Sequence, residues 1–186
     1  MVIPRETLSI ENVVGSANLE QEIDLDALAD DLDDVSYDPE RFPGLIFRTQ
    51  DPKAAALIFR SGKLVCTGAS SIADMTTAVE MAFEKLRTLG LDIPPEPDVT
   101  VQNIVTSGDL GTELNLTAIA IGLGLEAVEY EPEQFPGLVY RADELSVVVL
   151  LFGTGKFVIT GGERPSDAED ATEAVQTELT ELGLLE

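Results

Sequence analysis

The sequence predicts an α+β fold in which two copies of one unit share a single sheet, with helices on one face. Three observations predict it. The stretch from Tyr37 to Gly68 returns from Tyr130 to Gly161: Tyr37, Phe42, Phe59, Lys63 and Thr67 recur as Tyr130, Phe135, Phe152, Lys156 and Thr160, each 93 positions on. A long period repeated once without a slip marks a duplicated half and not a solenoid. Within the repeated stretches, apolar residues alternate as in strands, and each stretch is followed by a segment with helical apolar spacing. A half of this kind alone would leave a long strand edge unpaired, so the two halves are expected to join in one sheet.

The elements follow in order. Residues 1–7 read as a short loose arm. Leu8, Ile10, Asn12 and Val14 alternate with their neighbours and predict a strand. Asp24 is a good N-cap for a helix through about Asp33, as is Asn115 in the second copy. The Asp-Leu-Asp run at Asp24 lacks the central Gly and terminal Glu of a calcium loop; carboxylates there complement the helix dipole. Val35–Tyr37 starts a second strand, and Asp38–Gly44 is a turn rich in Pro and Gly. Leu45–Arg48, Ala54–Phe59 and Leu64–Thr67 are strands, with Ser61-Gly62 a tight turn between the last two. Ile72, Met75, Val79, Ala82, Leu86 and Leu89 recur at helical spacing, so a helix from about Ser71 to Leu89 packs one face on the sheet, and Gly90 ends it. Asp92–Asp98 carries three prolines and reads as a stiff linker. The second copy repeats the plan, ending in a helix from about Ser166 to Leu182. Its first strand matches at an offset of 91, Asn12 with Asn103, so it holds two extra residues between Ala120 and Tyr130. The first repeat is taken as residues 8–93, the linker as 94–98 and the second repeat as 99–186, in one continuous structural domain.

Helices on one face leave the other bare. Leu57, Phe59, Ser61, Lys63, Val65 and Thr67 share parity, as do Leu150, Phe152, Thr154, Lys156, Val158 and Thr160. The opposite parity carries Ile58, Leu64, Cys66, Leu151, Phe157 and Ile159, a set suited to a core beneath helices. The free face then presents small apolar groups, threonines and lysines, with Phe42 and Phe135 at the turns beside it. An apolar surface of that extent marks a binding site.

Charge divides along the same line. The chain holds 35 acidic against 11 basic residues, a net −24. Seven of the basic residues, among them Arg41, Arg48, Lys63, Arg141 and Lys156, but only three of the acids, lie in the repeated strand segments. One surface is therefore spared the negative charge that saturates the rest. Such a carboxylate excess suits concentrated salt, where repulsion is screened within about 3 Å at 1 M.

Several chemistries are excluded. There is no histidine, which removes the commonest general base and zinc ligand. Cys66 has core parity and no activating neighbour in sequence. Gly153-Thr154-Gly155-Lys156 is followed by Phe157 where a phosphate loop needs Ser or Thr. No enzyme activity and no cofactor are expected. The longest purely apolar runs, such as Val147–Phe152, fall far short of the roughly 20 residues of a membrane helix. Met1–Glu6 is polar and does not read as a signal peptide, and a single cysteine cannot form an internal disulfide, so a cytoplasmic location is expected. The competing binding class is a lipid or small-ligand carrier, which predicts a closed cavity under the helices.

Tyr37-x-Pro39-Glu40-Arg41-Phe42-Pro43-Gly44-Leu45, Ala56-Leu57-Ile58-Phe59-x-Ser61-Gly62-Lys63 and Val65-Cys66-Thr67-Gly68-Ala69 resemble the TATA-box-binding protein family. So do Tyr130-Glu131-Pro132-Glu133-x-Phe135-Pro136-Gly137-Leu138 and Phe152-x-Thr154-Gly155-Lys156-x-Val158-x-Thr160-Gly161, with Asn12 and Asn103 each in a V/I-x-N-x-V or similar setting. The likeness covers roughly residues 8–185; its length looks archaeal and its acidity looks halophilic. Gln134, where the family usually has an apolar residue, and Ser70, where it often has a basic one, depart from the pattern.

The resemblance implies a pseudo-twofold saddle: one curved, ten-stranded antiparallel sheet, concave toward DNA, with four helices on the convex side. It implies a general transcription initiation factor that binds A/T-rich promoter DNA in the minor groove, bends it, and recruits transcription factor B and, indirectly, RNA polymerase. By position, Phe42, Phe59, Phe135 and Phe152 would wedge base steps. Asn12 and Asn103, with Thr67 and Thr160 beside them, would meet groove acceptors. Val14, Leu57, Val65, Val105, Leu150 and Val158 would pack on the groove floor. Arg41, Arg48, Lys63, Arg141 and Lys156 would hold phosphates. Glu131 and Glu133 match the positions that meet transcription factor B. Cations at the DNA interface, a homodimer in the absence of DNA, and association with the nucleoid complete these expectations.

Overall fold

The computed structural model describes residues 4–141 and 143–185. The first half contains β1 (Ser9–Asn18), α1 (Leu25–Asp31), β2 (Val35–Ser36), β3 (Leu45–Gln50), β4 (Lys53–Ile58), β5 (Lys63–Ala69) and α2 (Ile72–Thr88). The second contains β6 (Thr100–Asp109), α3 (Leu116–Leu123), β7 (Val128–Glu129), β8 (Leu138–Tyr140), β9 (Val148–Leu151), β10 (Lys156–Gly162) and α4 (Pro165–Glu181). Ten strands form one sheet in the order β2-β3-β4-β5-β1-β6-β10-β9-β8-β7, in the expected α+β class. The chain divides into two compact units, residues 12–102 and the residues up to 11 together with those from 103 onward.

In the first unit α2 lays Met75, Ala78, Val79, Ala82, Phe83 and Leu86 on the sheet face formed by Ala56, Ile58, Leu64 and Cys66, all buried. Full burial of a side chain such as Phe83 stabilises by about 1.5–3 kcal/mol over exposure. Ser71 caps α2 by accepting the Asp74 N–H at 3.0 Å. Arg87 in its last turn donates to the carbonyls of Pro94 (3.0 Å) and Pro95 (2.8 Å), and Ile93 is buried, so the proline-rich linker is pinned to the helix end. The β4–β5 hairpin needs Gly62 for two reasons. Its φ is +86°, and a Cβ would stand 2.1 Å from the Gln21 carbonyl oxygen of the chain crossing above it. Gly155 meets the Thr112 carbonyl in the same way in the second unit.

In the second unit Ala168, Ala171, Val175 and Leu179 of α4 pack with Val149, Leu151, Phe157 and Ile159. The N-terminal arm belongs to this core and corrects the expectation of a loose segment. Pro4 is buried in a 3-10 turn, Thr7 Oγ1 accepts the Asp109 N–H at 2.8 Å, Arg5 pairs with Glu169, and Leu8 packs on the core. Those partners lie more than 100 residues away in sequence, beyond any local pattern. Residues 1–3 of the expected arm lie outside the described residues. Among the described residues no helix is long and apolar enough to cross a membrane.

Candidate nucleic-acid interface

Strand register assembles the free face in rows. In the first unit Ile46, Leu57, Val65 and Ser16 are cross-strand neighbours, followed by Arg48, Ala55 and Thr67. In the second unit Val139, Leu150, Val158 and Ser107 form the matching row, with Val148 opposite Thr160. Apart from exposed Arg48, these side chains are half-buried, whereas their neighbours of opposite parity are mostly buried under the helices, Phe47 being half-buried and the bulge residues Gly68 and Gly161 exposed. Val14 and Val105 are half-buried on β1 and β6. The six predicted apolar residues therefore stand opposite the helices. Ile46, Val139, Val148, Ala55, Ser16 and Ser107 join them and were missed. Alternation along β3, or Val148 sharing parity with Leu150, carried the signal.

Each unit holds one pair of phenylalanines. Phe42, from the turn before β3, meets Phe59, just past β4, edge to face at 5.8 Å and 67°. Phe135 and Phe152 repeat this at 5.9 Å and 70°. Core phenylalanines here are 1–2% exposed (Phe83, Phe157), but Phe135 is 40% exposed and the other three are half-buried. Hydrogen bonds fix the backbones that carry them. The Phe42 N–H donates to the Asp38 carbonyl at 2.9 Å, the Phe135 N–H to that of Glu131 at 3.0 Å, and the Phe59 N–H to that of Lys63 at 2.9 Å. Gly44 and Gly137 lie beneath the pairs. A Cβ on Gly44 would be 2.7 Å from Phe42 Cε1 and 3.1 Å from Phe59 Cε1; on Gly137, 2.6 and 2.9 Å from the corresponding atoms of Phe135 and Phe152. The Phe-Pro-Gly repeat thus seats an aromatic pair, a role the sequence alone did not reveal.

Asn12 and Asn103 sit at β-bulges. Between Val13↔Ala69 and Gly15↔Cys66, β5 carries one residue more than β1, at Thr67-Gly68; β10 does the same at Thr160-Gly161. Gly68 and Gly161 have φ of +86° and +94°, and their N–H groups donate to Asn12 Oδ1 and Asn103 Oδ1, both at 2.7 Å. An N–H at that distance must face the amide oxygen, which settles the amide orientation. Each Asn Nδ2 then donates to the neighbouring threonine hydroxyl, Thr67 or Thr160, at 3.3 Å, with a second amide hydrogen left over.

The basic residues are exposed, but two already face carboxylates. Arg41 lies 3.6 Å from Asp38 and Arg141 3.6 Å from Glu129. Arg48 Nη1 donates to Ser36 Oγ at 3.2 Å. Lys63 and Lys156 open β5 and β10 and do not sit in the turns. Glu131 and Glu133 are exposed in the turn ahead of Phe135. Burial pushes the Cys66 thiol up to about 11, so at neutral pH it is a protonated core side chain. Among the described residues no group of side chains suits a metal ion. The void enclosed by Leu110, Val149, Phe157, Ala171 and Val175 does not admit a water molecule, which leaves the carrier reading without its cavity there.

Comparison with known proteins decides the family. The family model described as transcription factor TFIID (or TATA-binding protein, TBP) matches residues 7–89 and 98–182. The chain belongs to the TATA-binding protein family. That family consists of DNA-binding transcription factors and not of enzymes. TATA-box-binding protein 1 of Haloferax volcanii is 62% identical over 100% of this chain and 98% of its own length. TATA-box-binding protein E of Halobacterium salinarum is 61% identical over the whole of both chains. A solved TBP from Methanococcus jannaschii superposes with a TM-score of 0.83 at 46% identity, covering 94% of this chain and 99% of that one. Both of these relatives come from haloarchaea, in keeping with the acidic composition.

Proposed function

We propose that this chain is a general transcription initiation factor that binds A/T-rich promoter DNA in the minor groove through its helix-free sheet face. The observation that carries the reading is the duplicated Asn–Thr–Gly bulge flanked by half-buried aliphatic rows. The minor groove of A·T pairs presents only the acceptors A N3 and T O2, while G·C adds an amino donor. The spare amide hydrogens of Asn12 and Asn103 suit those acceptors. Val14, Leu57, Val65 and their counterparts Val105, Leu150 and Val158 offer the guanine amino group nothing to bond to, so its desolvation counts against G·C.

Phe42, Phe59, Phe135 and Phe152 are the proposed wedges, one pair per end, unstacking a base step and bending the duplex. This family is itself the standard case of such a kink, about 80°, so the angle is a family property and not a result of this geometry. Arg41, Arg48, Lys63, Arg141 and Lys156 hold phosphates. Arg41 and Arg141 exchange their carboxylate partners to do so, and cations are taken up where other carboxylates face the backbone. Glu131 and Glu133, exposed on one turn, receive transcription factor B and through it RNA polymerase. Without DNA, the apolar face supports a homodimer. The protein acts inside the cell, at the nucleoid.

The test is a gel shift in molar potassium chloride, with one A/T-rich duplex and a second in which the central A·T pairs are replaced by G·C. Each replaced pair is expected to weaken binding by about 1–3 kcal/mol. Equal affinity for both duplexes overturns the proposal.

A further inference from the structure

The two repeats differ most at the end of their first helices. Aligned on Asp24 and Asn115, the first repeat reads Ala29-Asp30-Asp31-Leu32-Asp33-Asp34 where the second reads Ala120-Ile121-Gly122-Leu123-Gly124-Leu125-Glu126-Ala127, including its two extra residues. At that constant offset Asp30 corresponds to Ile121 and Asp34 to Leu125, with the two extra residues following. The structure leaves both on the surface: Ile121 is 73% and Leu125 81% exposed, more than any other large apolar side chain among the described residues. Leu182, past the end of α4, is 43% exposed. The surfaces adjoin, because a Cβ on Gly122 would stand 3.1 Å from the side chains of both Leu182 and Leu184. A chain that places 32 of its 35 acids outside the repeated strands here carries isoleucine and leucine where its first repeat has two aspartates.

The surroundings are mainly acidic, and the nearby Arg141 is paired with Glu129 at 3.6 Å. Glu126 and Glu181 are exposed next to Leu125 and Leu182 in the chain. Glu181 also lines an open cleft of about 690 Å³ together with Asp143, Glu144, Asp170, Glu173 and Glu178, and no basic residue lines it. Tyr140 and Leu145 provide apolar surface in the same cleft.

We propose that Ile121, Leu125 and Leu182 form a docking surface for an amphipathic helical segment of a partner protein, with apolar anchors flanked by Lys or Arg. Charge complementarity selects this occupant. A second copy of the chain would set the same carboxylates against themselves, and an anionic lipid surface is disfavoured for the same reason. Size agrees, since three apolar anchors match the i, i+3, i+4 face of one helix, whereas a stable dimer buries upwards of about 1,000 Å². The surface lies on the α3–α4 corner, opposite the aliphatic rows of the free sheet face; Arg141, assigned to a phosphate, borders it through its N–H bond to the Ala127 carbonyl at 2.9 Å.

The test uses full-length protein in potassium chloride and a synthetic amphipathic peptide of about 18 residues, about 27 Å as a helix, with leucines on one face flanked by lysines. A second peptide carries glutamates for the lysines. NMR amide shifts are expected to concentrate at residues 119–127 and 178–185. Ile121→Asp combined with Leu125→Asp is expected to weaken the lysine peptide by at least about tenfold, as removal of hot-spot anchors does. The glutamate peptide is expected to bind at least about tenfold more weakly than the lysine peptide. Ile121→Asp installs the residue the first repeat carries, so folding should persist, and circular dichroism checks it. Unchanged lysine-peptide affinity in the folded double variant overturns the proposal, as do shifts spread over the free sheet face. A dimer in sedimentation that the double variant abolishes identifies a second copy as the occupant and also overturns it.

Discussion

Asn103 offers different atoms to the fold and to the proposed DNA contact. Its oxygen holds the Gly161 N–H of the bulge at 2.7 Å, while its amide nitrogen faces Thr160 and retains a spare hydrogen. Asn103→Asp keeps the acceptor and removes the donors. Affinity for an A/T-rich duplex is expected to fall by about 1–3 kcal/mol by fluorescence anisotropy, with the urea midpoint nearly unchanged. Loss of the midpoint as well would make Asn103 a purely structural residue. The phenylalanines divide in the same way. Phe152 touches Phe135 and lies half-buried over Gly137, unlike Phe157, which is 2% exposed in the core. Phe59→Ala or Phe152→Ala is therefore expected to weaken DNA binding and reduce bending, read by energy transfer between duplex ends, because a wedge offsets the few kcal/mol of unstacking. Unfolding should stay cooperative, with a loss well below the roughly 3–5 kcal/mol of a core Phe→Ala change. Full bending by either variant contradicts the wedge assignment.

Helix α4 supplies the pH-dependent element. Asp167 Oδ2 accepts the N–H groups of Glu163 and Arg164, each at 2.9 Å, closing the helix N-terminus. Burial alone would raise its carboxyl, but those N–H bonds and the Arg164 guanidinium outweigh it and hold the group below its ordinary value. A depressed folded value means the stabilisation is present above the unfolded value, about 3.9, and disappears as pH falls through the folded one. Asp167→Ala is expected to cost about 1 kcal/mol near neutral pH by urea denaturation, and the gap from the parent should close below about pH 4. A constant gap down to strong acid contradicts the cap. The long helices and the hairpins were legible in the sequence because each is set by local spacing. Of the expected α2 face, Met75, Val79, Ala82 and Leu86 are buried as read, whereas Ile72 is half-buried and Leu89, at the C-cap where the helix leaves the sheet, is 36% exposed; the parity of Leu57 and Val65 emerged as read. The Thr67-Gly68 bulge, the seating of the phenylalanines on Gly44 and Gly137, and the docking of Thr7 on Asp109 were not legible. Each depends on strand register or on a partner far along the chain, and neither leaves a local period.

At the scale of the whole molecule, the net charge of −24 governs what kind of DNA binding is feasible. An ordinary DNA binder releases counterions and loses affinity with a slope of about −0.9 per neutralised phosphate. Here the positive set proposed to hold phosphates is five residues, two of them already beside carboxylates at 3.6 Å. Low salt leaves the repulsion between protein and duplex at full strength. At 1 M salt the Debye length falls to about 3 Å, which suppresses both that repulsion and the phosphate contacts. In the proposed binding mode affinity then rests on burial of the aliphatic rows and the phenylalanine pairs, which screening does not weaken. The most direct measurement is the binding constant for an A/T-rich duplex from about 0.1 M to above 1 M potassium chloride, with circular dichroism recorded at every point. The account predicts affinity that holds or rises across this range; a steep monotonic loss with the fold intact throughout would contradict it.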